Sequence, residues 1–245
     1  MFHKYILDFP ENFFPDLSKS VKFEYINKCR QGANLIDCAN DLVPIVRTTT
    51  VYHLPNQKFL PIHYQIIDQI KKVSNYNNLV LNNALIEIYH SDYRTMGFHS
   101  DQALDLTDNS MICIYSGYDD PDTKDLRKLV IKNKTTNQYS NITLEHNSVV
   151  MFSTETNRNH LHKIVLDKCT TNTRWLGITF RQSKTFIKFQ NEIPYFYPDM
   201  VQLTLANQIQ QKEFYKLRSE ENASTNYVYP NINYTISEGD LILVS

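Results

Sequence analysis

"GFHSDQ", residues 97–102, places a histidine and an aspartate two residues apart near the middle of a 245-residue chain. Side chains alternate along an extended strand, so His99 and Asp101 can converge on one point. The motif lies between "NALIEIYH" (83–90) and "SMICIYSGY" (110–118), two short runs rich in β-branched and aromatic residues. A metal site and a surface turn both fit the motif alone, and the neighbouring sequence has to separate them.

Short β-rich runs continue beyond this motif. They are separated by polar clusters such as "DDPDTKD" and "KTTNQ". The further runs are "LRKLVIKN", "YSNITL", "NSVVMFST", "LHKIVL" and "RWLGITFRQ". Many short strands at this spacing predict an antiparallel sandwich or barrel. The fold class is therefore expected to be mostly β, with flanking helices.

Helical patterns flank the β-rich region. The segment 59–73 has isoleucines at helical spacing and Pro61 in its first turn, which predicts a helix. Residues 17–29 suggest a short helix, and 198–219 a longer one. Two further strands are expected, at 44–55 because of its β-branched residues between prolines, and at "GDLILVS" at the end of the chain.

We interpret residues 1–245 as a single domain in three parts. Residues 1–79 form N-terminal helices and a substrate lid. Residues 80–189 form the catalytic β core, and 190–245 form a C-terminal helical appendage. The chain shows no repeats, low-complexity tract or clear linker.

Composition excludes several classes of protein. The formal net charge of −1 argues against a generally basic nucleic-acid binder, and only 5 glycines argue against Gly-rich phosphate loops. The four cysteines form no CxxC pair, which is typical of a reduced intracellular protein. There is no signal-peptide pattern at the start and no run of 18 apolar residues, so we expect a soluble intracellular protein without a membrane partner.

A second histidine pair lies about sixty residues after His99. "NRNHLHKIV" carries His160 and His162 on a predicted strand, and one of them could complete the site. Two histidines and a carboxylate on one face of a metal are the ligands of non-haem Fe(II) oxygenases. A zinc hydrolase and a simple pairing of surface histidines are the alternatives. Arg174 and Arg181 follow on the next strand, and an arginine suits the remote carboxylate of 2-oxoglutarate because its fork binds carboxylates bidentately.

Together these motifs resemble the AlkB-like Fe(II)/2-oxoglutarate-dependent dioxygenases over roughly residues 80–183. "NALIEIY" is similar to the family strand that precedes the metal motif, and "GFHSDQ" is similar to its His-x-Asp. "LRKLVIKNK" resembles a strand that often carries an arginine, and "GITFRQ" resembles the family's Asn-Leu-Thr-Phe-Arg strand. In "LEHNSVVMFSTETNRNHLH", the register of Thr156 and Asn157 makes His162, not His160, the third ligand.

The resemblance implies a double-stranded β-helix (jelly-roll) core and the cofactors Fe(II), 2-oxoglutarate and O2. His99, Asp101 and His162 would be the metal ligands, with Asp101 also the catalytic residue. Tyr89 would help bind 2-oxoglutarate together with an arginine.

Three departures from the family pattern concern the 2-oxoglutarate site. Glu87 holds the usual position of an asparagine and would bring a negative charge near the co-substrate. Gly177 replaces another asparagine. Arg174 and Arg181 are seven residues apart where the family has six, so on a regular strand they face opposite sides. The family register favours Arg181, and the spacing from His162 favours Arg174 for the remote carboxylate.

Members of this family oxidise N-alkyl groups on nucleic-acid bases, which implies oxidative dealkylation or hydroxylation of an alkylated base in single-stranded or flipped-out nucleic acid. Arg47 and Tyr52 lie where the substrate lid would be, and Tyr93 and Arg94 lie near the metal entrance. The alternative is a 2-oxoglutarate-dependent hydroxylase of a small molecule, peptide or protein side chain. A third, non-enzymatic interpretation is a degenerate jelly-roll binding module.

Overall fold

A computed structural model of the protein describes residues 1–244. Within this range the helices are α1 (Phe14–Ser20), α2 (Pro61–Ser74), α3 (Thr154–Asn159) and α4 (Gln208–Ala223), with a short 3₁₀ helix at Glu238–Leu241. The strands are β1 (His3–Ile6), β2 (Glu24–Asn27), β3 (Arg30–Ile36), β4 (Leu42–Pro44), β5 (Gln57–Lys58), β6 (Asn83–Tyr89), β7 (Met111–Tyr118), β8 (Arg127–Asn133), β9 (Tyr139–Leu144), β10 (Ser148–Ser153), β11 (His160–Val165), β12 (Trp175–Arg181), β13 (Phe186–Gln190), β14 (Ile193–Tyr197), β15 (Thr204–Leu205) and β16 (Tyr234–Thr235).

Two facing antiparallel sheets form the core. The major sheet has the order β1-β10-β7-β12-β6-β3-β2, with β5 parallel to β3 as an eighth strand. The minor sheet has the order β11-β8-β9. This confirms the predicted mostly β fold with flanking helices and a jelly-roll core.

Alternation along β12 shows how the major sheet separates two apolar cores. Leu176, Ile178 and Phe180 belong to the core shared with α1 and α2. Trp175 points to the opposite face, into the core between the two sheets. Residues 177, 179 and 181 therefore share this inner face with Trp175, because side chains alternate with period two. Any site between the sheets takes its β12 side chains from these odd-numbered positions.

The helix predicted at 59–73 is confirmed as α2. Pro61 occupies its first turn, and Ile66, Ile67 and Ile70 are buried against the major sheet. The helix ends at Asn75, which takes the left-handed conformation common after a helix. Residues 17–29 differ from the predicted helix, since α1 ends at Ser20 and β2 begins at Glu24.

Two predicted strands are not formed. Only Leu42–Pro44 is a strand near the predicted 44–55 segment, and residues 45–55 are irregular. Their backbone groups bond to distant side chains instead; the Tyr52 N–H, for example, donates to Ser237 Oγ. At the C-terminal end the described residues form the 3₁₀ helix, in which the Gly239 N–H donates to the Tyr52 carbonyl. The two segments thus satisfy each other's backbone polar groups without forming a β-ladder. Ser245 of the predicted last strand lies outside the described residues.

The terminal parts of the chain both attach to the core. The N-terminal part contains α1 and α2 and also contributes β1, β2, β3 and β5 to the major sheet. In the C-terminal part the long helix lies at Gln208–Ala223, later than the predicted 198–219, because Asn207 caps it by accepting from the N–H groups of Ile209 and Gln210. The division at residues 79 and 189 stays a prediction. Across residues 1–244, the helices are too short or too polar to cross a membrane.

Candidate metal centre

His99, Asp101 and His162 come together between the two sheets. Each offers a ligand atom, and these atoms all lie within 4.8 Å of one another. The backbone explains the meeting, because the His99 N–H donates to the His162 carbonyl at 3.0 Å and the His162 N–H donates back at 2.6 Å. The loop of the His-x-Asp motif is thereby attached to β11 of the minor sheet.

Asp101 is fixed by an asparagine of α3. The Asp101 N–H donates to Asn157 Oδ1 at 2.7 Å, and Asn157 Nδ2 donates to the Asp101 carbonyl at 2.7 Å. Asn157 is almost fully buried. The Asn157 position that the family register picked out therefore has a physical role, which is to hold the backbone of the carboxylate ligand.

The protonation states of His99 and Asp101 suit a cation. His99 Nδ1 lies 3.0 Å from the Gly97 carbonyl, so Nδ1–H is the donor and Nε2 keeps a free lone pair. Desolvation lowers the pKa of His99 to about 3, which keeps the imidazole neutral. Burial opposes ionisation of Asp101, but the charge of Arg181 and the contacts with His162 and His99 together outweigh it and hold the Asp101 pKa well below its usual range. Neutral imidazole and ionised carboxylate are the forms that bind metals.

His162 completes the set from the minor sheet. Its Nε2 lies 3.4 Å from Asp101 Oδ1. Its Nδ1 is buried and has no hydrogen-bond partner within the described chain. Two imidazoles and one carboxylate from one side of a cavity match the ligand type and number of a non-haem Fe(II) site, so the residues present fit that metal.

A cavity of about 440 Å³ extends from these ligands along the inner face of the major sheet. Arg181 stands at the metal end, where its Nε donates to Asp101 Oδ2 at 2.7 Å. Tyr89 and Glu87 line the cavity further along. Leu85 and Ile114 supply apolar wall between them, so the cavity has charged ends and an apolar middle.

The matching family model is that of the 2OG-Fe(II) oxygenase superfamily, over residues 36–181, and this span includes all three candidate ligands. The chain belongs to this superfamily. It is therefore a dioxygenase that uses Fe(II), 2-oxoglutarate and O2. This confirms the predicted resemblance to Fe(II)/2-oxoglutarate-dependent dioxygenases. The alternative interpretations as a zinc hydrolase or a non-enzymatic binding module are therefore wrong.

Comparison with solved structures found similarity to OsALKBH1, with a TM-score of 0.44 and 16% sequence identity over 63% of this chain and 78% of that chain. Comparison with curated proteins found no match.

Arg174 does not reach the cavity of the oxygenase. Its Nε donates to Asp119 Oδ2 at 2.8 Å, and its guanidinium carbon lies 5.1 Å from the ring centre of Phe14. Arg174 thus lies on the helix side of the major sheet, while Arg181 is on the inner side. Arg174 and Arg181 are seven residues apart and face opposite sides of the sheet, because β12 pairs with both neighbouring strands without a bulge. The structure brings Tyr89 and Arg181 to the site and leaves Arg174 outside.

Arg30 also lines the cavity, and sequence reasoning missed it. It begins β3, which pairs with β6 so that Arg30 lies opposite Tyr89. Nothing in the local sequence indicates this role, because the pairing joins segments almost sixty residues apart. A prediction of strand pairing for residues 30–36 would have been needed to find it.

Two of the four predicted substrate residues are buried, and a third, Arg94, is exposed and bonded to backbone groups. Arg47 is 4% exposed, and its guanidinium binds Asp105 at 2.7 Å. Tyr52 is 1% exposed. Arg94 donates to the carbonyl groups of Leu166 and Asp167.

The prediction of a substrate lid with Arg47 and Tyr52 at its surface is thus corrected. The irregular 45–55 segment turns inward and carries both side chains into the core. Tyr93 is half-buried and lines the cavity, with its ring centre 4.6 Å from that of Tyr89.

Proposed function

We propose that this dioxygenase binds Fe(II) through His99, Asp101 and His162 and oxidises an N-alkylated base of single-stranded or flipped-out nucleic acid. The reaction would be oxidative dealkylation or hydroxylation of the base. Two observations support this choice of substrate beyond the family membership. They are the AlkB-like sequence motifs and a surface beside the metal loop.

The bound metal and 2-oxoglutarate supply the oxidising chemistry, and the chain supplies geometry. Asp101 presents its carboxylate in one orientation, because Asn157 holds its backbone and Arg181 holds Oδ2. His99 presents Nε2 because the Gly97 carbonyl engages Nδ1. The apolar wall formed by Leu85, Ile114 and Ile164 limits water in the cavity.

The observation that carries the substrate proposal is an aromatic–lysine patch formed by Phe98, Lys132, Tyr139 and Lys163. Phe98 lines the metal cavity, and its ring centre lies 5.9 Å from that of Tyr139. The Lys163 ammonium lies 4.7 Å from the Phe98 ring centre, and Lys132 lies 5.7 Å from that of Tyr139. Tyr139 is exposed and Phe98 is half-buried, and rings for base stacking beside cations for phosphate are typical of single-strand binding.

The charge of this patch is available to a ligand. Within residues 1–244, neither Lys132 nor Lys163 has an acidic side chain within ion-pair distance, whereas the neighbouring Lys128 pairs with Asp167 at 2.8 Å. Tyr139 is 61% exposed. The near-zero net charge of the chain therefore conceals a local basic surface on the outer face of the minor sheet, next to the metal loop.

A hydroxylase of a small molecule, peptide or protein side chain is the second candidate. The burial of Arg47 and Tyr52 favours it, because these residues cannot contact a phosphate or stack on a base. In that case the patch would have no part in turnover.

The test offers methylated single-stranded oligonucleotides to the protein with Fe(II), ascorbate and 2-oxoglutarate, and follows formaldehyde and succinate together. We expect equal amounts of both products, formed only with the methylated strand. Succinate without oligonucleotide-dependent formaldehyde would support the second candidate instead.

Binding of the same oligonucleotides at several salt concentrations tests the patch, with the K132E/K163E double variant compared with the unmodified protein. We expect the double variant to weaken oligonucleotide binding for all sequences and to reduce the slope of log K against log salt by roughly 1.4, because each lost phosphate contact on a single strand removes about 0.7 from that slope. The matched control is Lys58→Glu, an exposed lysine on β5 in the major sheet. Equal effects of the double variant and the control would contradict a specific role of the patch.

A further inference from the structure

A carboxylate is held inside the cavity by two donors, Arg30 and Tyr89. Arg30 Nε donates to Glu87 Oε1 at 2.6 Å, and Tyr89 Oη donates to Glu87 Oε2 at 2.8 Å. Glu87 is 8% exposed and Tyr89 is fully buried. A guanidinium and a phenol hydroxyl on the two oxygens of one carboxylate form a carboxylate-binding site, and here the chain's own glutamate occupies it.

Arg30 is the cation placed for the end of the cavity remote from the metal. The described residues that line the cavity include three arginines, Arg30, Arg181 and Arg218. Arg181 is engaged by the metal-ligand Asp101 at 2.7 Å. Arg218 is engaged by Glu221 at 2.8 Å and by the Ser100 carbonyl. Arg30 instead lies beside Tyr89 at the level of Trp175, six strand positions from Arg181 on the same inner face.

The surroundings of Glu87 contain further unused donors. Glu87 pairs with Gly32 on one side and Gly177 on the other, and Gly177 pairs in turn with Ser116. Tyr52 Oη lies over Gly32 and the Trp175 ring lies over Gly177, too close for a β-carbon at either glycine.

The polar atoms of Ser116, Trp175 and Tyr52 are all buried without a hydrogen-bond partner in the described structure. Buried donors without partners are costly, so this region has more donors than its own acceptors use.

We propose that Arg30, with Tyr89, binds the remote carboxylate of 2-oxoglutarate, the role for which the sequence left Arg174 and Arg181 as candidates, and that Glu87 competes with the co-substrate for Arg30. This rests on the proposed metal site, because the other end of 2-oxoglutarate is held there. The two acids cannot both take the full set of donors, so the negative charge of Glu87 weakens co-substrate binding.

The experiment measures binding of two keto acids to the Mn(II)-loaded protein by calorimetry. 2-Oxoglutarate carries the remote carboxylate, and 2-oxopentanoate has a methyl group in its place. Arg30→Gln is expected to weaken 2-oxoglutarate binding more than tenfold and to leave 2-oxopentanoate binding within about twofold. Arg174→Gln is the matched control and should change neither affinity. Glu87→Gln should tighten 2-oxoglutarate binding severalfold, because it removes the competing charge and keeps the side-chain shape.

Each result has one meaning. An equal loss for both keto acids in Arg30→Gln would make Arg30 a structural residue and overturn the inference, as would a selective loss in Arg174→Gln. Weaker 2-oxoglutarate binding in Glu87→Gln would overturn the competition. If the unmodified Mn(II) protein binds neither keto acid, the proposed function itself fails, which is a different outcome from failure at Arg30.

Discussion

His160 and His162 are two residues apart on β11 and have different environments. The His162 ring is 3% exposed on the inner face of the minor sheet, with its centre 4.7 Å from that of His99. The His160 ring lies within hydrogen-bond distance of the Thr156 carbonyl, at 2.8 Å, and of Asn133 Nδ2, at 3.2 Å. Both nitrogens of His160 are therefore used in tying α3 to the end of β8, and His162 is free for a ligand role.

We predict that alanine at His99, Asp101 or His162 lowers Mn(II) affinity by more than about a hundredfold. Loss of a residue that only hydrogen-bonds to a metal ligand already lowers metal affinity roughly 10- to 100-fold. His160→Ala should change metal affinity far less and should mainly lower thermal stability. Calorimetric titration with Mn(II), alongside circular dichroism to verify folding, checks this. Loss of metal binding in His160→Ala with retention in His162→Ala would contradict the assignment.

At the scale of elements, α4 is bonded directly to the metal loop. Asn222 Oδ1 accepts from the Ser100 N–H at 3.0 Å, and Glu221 Oε1 accepts from the Ala103 N–H at 2.8 Å. Arg218 donates to the Ser100 carbonyl. The loop backbone on both sides of Asp101 thus depends on one turn of a helix about 120 residues later. This gives the C-terminal part of the chain a positioning role.

Asn222→Ala should weaken Mn(II) binding by about tenfold, because the buried Ser100 N–H between the two loop ligands loses its acceptor. Asn226→Ala, at an exposed position after the same helix, serves as the control. A merely structural role of Asn222 would lower the free energy of unfolding without changing metal affinity. That result, measured by urea unfolding and metal titration of the same samples, would rule out the positioning role.

On the scale of the whole molecule, the site joins parts that are otherwise separate. His162 comes from the minor sheet, Arg181 and Tyr89 from the major sheet, and His99 and Asp101 from the loop between β6 and β7. A metal and a co-substrate bound between the sheets would add links across the jelly roll. Binding should therefore stabilise the fold as a unit.

We expect Mn(II) to raise the thermal midpoint, and 2-oxoglutarate to raise it further only once Mn(II) is present. A ligand at a hundredfold excess over its Kd adds about 2.7 kcal/mol, which for a chain of this size corresponds to roughly 5–10 °C. Differential scanning fluorimetry with each ligand alone and with both gives the comparison, and His162→Ala should abolish both shifts. Equal stabilisation by 2-oxoglutarate without metal would show that it binds elsewhere.

Local patterns were enough to predict much of the fold and the three residues of the candidate metal site. The strand runs from residue 83 onward and the α2 helix follow from side-chain periodicity, which is a property of neighbouring residues. The set of His99, Asp101 and His162 could be proposed because each sits in a short motif of recognisable spacing. These features depend on interactions within a few residues, so they can be predicted from the sequence alone.

Tertiary structure alone decided which side chains share the cavity. Arg30 meets Glu87 because β3 pairs with β6, and Arg47 and Tyr52 are buried because an irregular segment packs against residues near 235. Arg174 is outside because β12 keeps its regular alternation, which a bulge would have changed. Strand register and loop packing are set by contacts between residues distant in the chain, and one-residue differences in register move a side chain to the opposite face. That is the physical reason why the sequence predicted the candidate ligands as well as Tyr89 and Arg181, but not Arg30 or the burial of Arg47 and Tyr52.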